Sequence, residues 1–246
     1  MRRKRSDGQD TRHRLLEAAG AIFAHKGFWQ ASLAEICRTA GANIAAANYH
    51  FNSKEELYLA AWRHAQERML KLYPPDGGVP EGASAEARLR GRILAIVRRM
   101  FDPHGHAFAI VQKESAFPTG LLTDALRDTV RPLREAFLAL VRELIGPGVP
   151  EADVVLCLQS ILAQCFSIRM YERAGGHTPA AKSTAASAHR KPPVPAREET
   201  IEAVANHVTS FSLGGILRLR REAATRAPKR RRPSRTRTTR QKDGRS

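Results

Sequence analysis

Three helix starts crowd into roughly two dozen residues between Ser32 and Glu56, and nothing else in this 246-residue chain restricts its fold so tightly. Ser32 and Glu35 have the spacing of a capping box, in which hydroxyl and carboxylate each accept a backbone N–H left over at a helix start. The helix they open would bury Leu33, Ile36 and Ala40 on one face and end at Gly41, a residue free to adopt the left-handed conformation. Asn43 suits the cap of a second helix, about Ile44 to His50. Ser53 with Glu56 repeats the capping box and opens a longer helix through Leu57, Ala60 and Ala61 towards Leu70. Such spacing leaves room only for tight turns.

A helix of two turns does not persist alone in water, so the middle segment must be carried by its neighbours. Ile44, Ala47 and Phe51 are expected to face them, which leaves Asn43, Ala45, Ala46, Asn48, Tyr49 and His50 outside. Small side chains let a helix sit deep in a DNA major groove. Alanine methyls can touch thymine methyls there, and Asn can pair bidentately with adenine. Lys54 and the free N–H groups of the following helix start are positioned to hold a phosphate. Ser32 completes the expected DNA-facing set. The pattern is that of a helix-turn-helix; an ordinary small-residue helix inside an all-α protein would leave three closely spaced caps unexplained.

The run Ala40-Gly41-Ala42-Asn43-Ile44-Ala45-Ala46-Ala47-Asn48-Tyr49-His50-Phe51, followed by Ser53-Lys54-Glu55, resembles the TetR family of bacterial transcriptional regulators. So does the preceding helix, Thr11-Arg12-His13-Arg14-Leu15-Leu16-Glu17-Ala18-Ala19 to Phe23, with Lys26-Gly27-Phe28 after it. The likeness spans about residues 8 to 70. It departs at Asn48, where many members carry Tyr, and at Asn43, which replaces the commoner Ser or Thr cap. The Asn48-Tyr49-His50-Phe51 version resembles the subgroup with a CerR-like C-terminal domain. The resemblance implies an all-α protein: an N-terminal three-helix, helix-turn-helix DNA-binding domain, then a larger helical domain for ligand binding and dimerisation. It implies a homodimer on a palindromic double-stranded DNA operator, and a small-molecule inducer.

The rest of the chain is expected to divide accordingly. A first helix, Asp10 to His25, carries the stripe Leu15, Leu16, Ala19, Ile22 and Phe23 and closes at Lys26-Gly27, with Phe28 and Trp29 packed beneath the helix-turn-helix, a place for Trp29 at the DNA backbone being the alternative. Tyr73-Pro74-Pro75-Asp76-Gly77-Gly78 ends the DNA-binding domain, drawn at 8–72. The second domain, 84–222, opens with Ser84 as a cap. It continues through a helix ending near Phe117, an amphipathic stretch 121–145 bounded or kinked at Pro132, an apolar helix 154–173 and a last helix 198–221. The two apolar helices suit a dimeric four-helix bundle. Residues 174–197 read as a flexible insertion and 223–246 as a basic disordered tail. Phe101, Phe108, Phe117, Gln164, Phe166, Arg169 and Met170 are candidates to line a ligand pocket, since such pockets are mostly apolar with a few polar groups.

Charge and motifs narrow the function. The formal net charge is +17, concentrated at the ends: four of the first five residues are basic, and 226–245 holds ten Lys/Arg against one Asp. Such arms bind polyanions without reading sequence. A weakly specific architectural DNA-binding protein driven by them is therefore the alternative to a sequence-specific repressor. No hydrolase, P-loop, dinucleotide or metalloprotease motif is present, so no enzyme, cofactor or metal is expected. His104-Gly105-His106 reads as an exposed turn. Cys37, Cys157 and Cys165 read as packed thiols of a cytoplasmic, nucleoid-associated protein. No apolar run approaches the length of a membrane span.

Overall fold

The computed structural model describes residues 3–173 and 198–226, with side chains for 8–167 and 198–225. The expected insertion 174–197 and the tail beyond 226 lie outside the described residues. Nine helices make up what is described: α1 Arg3–Gln30, α2 Leu33–Ala40, α3 Ile44–Phe51, α4 Lys54–Leu72, α5 Ala85–Phe101, α6 His106–Ala116, α7 Thr123–Ile145, α8 Glu151–Arg173 and α9 Glu198–Arg226. Among the described residues there is no strand, and no helix is long and apolar enough to cross a membrane.

Helix α1 starts earlier than its apolar stripe, and Gly27 leaves helical geometry at φ 78°, ψ 175°. That conformation suits glycine. It also lets the stem of Lys113 in α6 lie against the same spot, 3.6 Å from where a β-carbon would be. The last helix runs five residues further than expected, to Arg226.

The apolar side chains collect into two cores. The first holds Leu15, Phe23, Ile36, Phe51, Leu57, Tyr58 and Trp62 from α1–α4, and also Ala107 and Ile110 of α6, Leu122, and Ala125 at the start of α7. The second joins Leu89, Ile93 and Val97 of α5 to Val141, Leu144, Leu158, Ile161, Cys165, Ala205, Val208 and Ile216 of α7, α8 and α9. The packing thus crosses the break at 73–78: α6 follows α5 in sequence yet packs on α1 and α4. The break is itself packed. A β-carbon on Gly77, at φ 69°, would meet the Gly91 carbonyl of α5 at 2.2 Å, so loop and helix touch backbone to backbone.

Helix α7 continues across Pro132, so the expected boundary does not fall there. Pro132 lies on the exposed side, where the carbonyl one turn back, deprived of its N–H partner, can turn to water. Helix α9 is fastened to α5 by Arg90 to Glu202 at 2.5 Å, Arg90 to Asn206 at 2.8 Å and Arg98 to Glu198 at 2.5 Å. Helix α8 packs on the second core through Val154, Leu158, Ile161 and Cys165 and leaves Leu156 exposed.

Candidate nucleic-acid interface

Helix α3 is held at both ends by side chains that close its turns. Gly41 ends α2 at φ 61°, ψ 40°. Two residues on, Asn43 Oδ1 accepts the Ala46 N–H at 2.7 Å and starts α3. After Phe51 the chain reverses at Asn52, φ 55° and ψ −45°, where the Ser53 N–H reaches back to the Phe51 carbonyl at 2.5 Å in a γ-turn. Ser53 Oγ then accepts from Glu56 N at 3.2 Å to open α4. Only one half of each expected capping box forms. Ser32 Oγ does accept from Glu35 N, but the Glu35 carboxylate is taken by Lys26 Nζ at 2.6 Å. The Glu56 carboxylate accepts instead from Asn52 Nδ2 at 3.0 Å.

These turns decide which side chains α3 presents. Ala47 and Phe51 are buried against the first core, with the Arg12 guanidinium 5.3 Å from the Phe51 ring centre. Ile44, expected to face inward, is exposed: beginning right after the Asn43 cap, it lies where α3 has not yet reached its neighbours. Ala45, Asn48 and Tyr49 face out, Tyr49 with 83% of its surface accessible. Ala46 and His50 are half-buried, while Asn43 and Ser32 are exposed cap residues. Lys54 is half-buried; its ammonium lies 4.3 Å from the Phe28 ring centre, and burial lowers its pKa from the ordinary lysine value. Phe28 is buried as expected. Trp29 is not: it stands 67% exposed, edge-on to Phe28, beside the helix-turn-helix instead of beneath it. The chain leaves helical geometry at Gly27, two residues before Trp29, and the Lys26-Gly27 stop was the available signal in the sequence.

Behind this surface lies a buried carboxylate contact that the local sequence patterns do not announce. Glu114 of α6 is buried in the seam between α4 and the 118–120 turn. Its carboxylate accepts from Tyr58 Oη of α4 at 3.0 Å, from Thr119 N and Gly120 N at 2.9 Å each, and from Thr119 Oγ1. Burial, together with the charge of Glu114, pushes the Tyr58 hydroxyl well above its usual pKa, so the phenol stays a donor. The sign of this contact was a carboxylate one turn after Ile110, on the apolar stripe of α6.

The expected pocket residues are brought together only in part. Phe108 of α6 and Phe166 of α8 stack at 5.3 Å between ring centres, both packed on the second core. Phe101 lies inside that core, and Phe117 is exposed at the end of α6. Gln164 faces a groove of about 400 Å³ between α8 and α9, with Leu156 and Phe211. The side chains of Arg169 and Met170 lie outside the described residues. The 104–106 segment is more than an exposed turn: His104 is exposed, but His106 is half-buried with its ring against Gly20 of α1, and burial lowers its pKa.

A short outward helix between two capped turns, mounted on a helical body, defines a DNA-binding protein of the helix-turn-helix class. Residues 85–216 match the family described as the C-terminal domain of the HTH-type transcriptional dual regulator CecR, and residues 15–61 match the family of bacterial regulatory proteins typified by TetR. The chain therefore belongs to the TetR family of transcriptional regulators, with a C-terminal domain of the CecR type, the matching form of the subgroup expected as CerR-like. It is 25% identical over 173 residues to the dual regulator CecR of Shigella flexneri, covering 66% of this chain and 77% of that protein. It is 39% identical over 73 residues to the regulator UidR of Escherichia coli K12, covering 30% and 37%. Among solved structures, a TetR-like regulator from Rhodococcus sp. RHA1 shares the fold at TM-score 0.61 and 15% identity, covering 84% of this chain and 96% of that one. The ketosteroid regulator KstR2 of Mycobacterium tuberculosis does so at 0.57 and 21%, covering 83% and 93%. Members of this family regulate transcription through DNA and are not enzymes.

Proposed function

We propose that the protein is a homodimeric repressor that reads a palindromic operator with α3 and releases it when a small molecule binds the helical domain. The outward display of Ala45, Asn48 and Tyr49 between two side-chain-capped turns carries the reading. Asn48 recognises an adenine edge, and the alanine methyls allow close approach to the groove floor. Tyr49, His50, Asn43, Ser32 and Lys54 serve the phosphates and sugars alongside. Two copies related by a two-fold axis would put recognition helices one DNA turn, about 34–36 Å, apart.

The pairing surface is the outer face of α8 and α9. Leu156 and Phe211 are 57% and 66% exposed there. Gly214 and Gly215 have open space where a side chain would stand, which lets a second backbone approach closely. Coupling runs through α6, whose Phe108 stacks on Phe166 at the second core while its Glu114 holds Tyr58 in the first. A ligand that parts the two rings shifts α6 and, through Tyr58, the α4 that supports α3. Release follows from the ligand's preference for the shifted state.

The deciding experiment starts by footprinting the purified full-length protein to define its operator. Asn48→Ala should then lose about 1–3 kcal/mol of discrimination at one adenine, with non-specific affinity unchanged in fluorescence anisotropy. Equal loss on all sequences would remove Asn48 from base reading. Transcription in vitro from the footprinted promoter, with and without the protein, tests the sign of regulation.

A further inference from the structure

Outside the DNA-reading face, α1 and α4 bring together a group of metal-ligating side chains that the regulatory reading does not use. His13 and Glu17 lie one turn apart on α1, and His64 of α4 meets them across the helix pair. His64 Nε2 is 2.7 Å from Glu17 Oε1. The His13 and His64 rings lie edge to face at 5.1 Å. One donor atom from each of the three falls within 4.8 Å of the others. We propose that His13, Glu17 and His64 form a binding site for a first-row transition metal ion of the Zn²⁺ type, which ties α1 to α4 in the DNA-binding domain.

The donor set favours this class. Two imidazoles and one carboxylate suit Zn²⁺ and its neighbours, whereas Mg²⁺ and Ca²⁺ prefer oxygen alone. Metal–ligand bonds of about 2.0–2.1 Å hold neighbouring donors about 3.3 Å apart in a tetrahedral site. The Glu17–His64 pair therefore opens by about half an ångström while His13, whose ring is exposed, closes in. Both helices are rigid here: Leu15, Leu16 and Ala19 of α1 and Ala61, Trp62 and Ala65 of α4 are all in the first core. Side-chain rotation thus suffices. The group opens onto a groove of about 600 Å³ walled also by Glu67, Arg68 and Lys71. Water, or Glu67 one turn after His64, can fill the fourth position. Arg68 and Lys71 oppose a cation, and Glu67 and Glu17 offset them. Replacing the hydrogen bond between two helices by metal bonds fixes the spacing of α1 and α4, and α4 is the helix whose start closes the turn after α3.

The test uses untagged, chelator-treated full-length protein titrated with Co²⁺ as the probe, followed by the visible d–d bands of four- or five-coordinate cobalt. One equivalent per chain should bind, be displaced by Zn²⁺, and show no thiolate charge-transfer band. His13→Ala, at an exposed position that leaves the core intact, should weaken binding at least about tenfold, as should His64→Ala, while Cys157→Ala should leave it unchanged. At a hundredfold excess over Kd, Zn²⁺ should raise the Tm of the wild type by roughly 5–10 °C and that of folded His13→Ala by far less. Wild-type protein without these bands, or bands undiminished in both histidine variants, would overturn the site.

Discussion

At the scale of single residues, Asn52 matters most for aim. It is the one non-glycine residue among those described with a positive φ, and it holds the γ-turn that orients α3 against α4. This is the rare, strained γ-turn region outside the left-handed helical well, which glycine enters at little cost and a β-branched residue resists most. Asn52→Val should therefore cost about 2 kcal/mol and lower the Tm by roughly 4–8 °C, whereas Asn52→Gly should be close to neutral; calorimetry of the two variants decides. Cys165 makes a second case. It is fully buried, and that burial pushes its thiol up to about 12. Because the thiolate is the reactive form, iodoacetamide at pH 8 should leave Cys165 unmodified in native protein and label it once denaturant is added, as read by peptide mass spectrometry. This is the behaviour of the packed thiol that the apolar context of α8 suggested.

At the scale of elements, α6 is the piece whose role was hidden. Its sequence places it in the second domain, after α5, but its apolar face belongs to the first core and only Phe108 reaches the second. Glu114 is what holds it. Removing the carboxylate strands the Tyr58 hydroxyl and two backbone N–H groups at once, and a stranded buried donor costs more than a lost hydrogen bond. Glu114→Ala should thus destabilise the protein by about 2–4 kcal/mol, and Tyr58→Phe by about 1–2 kcal/mol. The double variant should fall short of the sum, because the two share one contact. Denaturant unfolding of the four proteins measures this; strict additivity would mean that Glu114 and Tyr58 act separately.

At the scale of the whole molecule, the open face of α8 and α9 decides how two DNA-reading helices are spaced. Phe211→Glu adds a charge to that face without touching either core, since Phe211 is exposed in the single chain. The proposed dimer predicts a shift to monomer in sedimentation velocity. It also predicts a large loss of affinity for the full palindrome and little loss for an isolated half-site. A monomeric wild type, or equal losses on both DNAs, would contradict the arrangement.

The caps at Ser32, Asn43, Ser53 and Ser84, the left-handed stop at Gly41 and the outward set Ala45, Asn48 and Tyr49 were all legible in the chain. They depend on hydrogen bonds and periodicities spanning three or four residues, so their signal is local. What lay beyond that range had to wait for packing. Glu35 and Glu56 turned from their own caps to Lys26 and Asn52; α6 crossed from one core to the other; Trp29 swung outward; and His64 arrived beside His13 and Glu17 from 47 residues away. Each of these is settled by which helix lies next to which, and helix contacts depend on the shape of whole apolar faces. Pairwise spacing in the sequence carries no record of that.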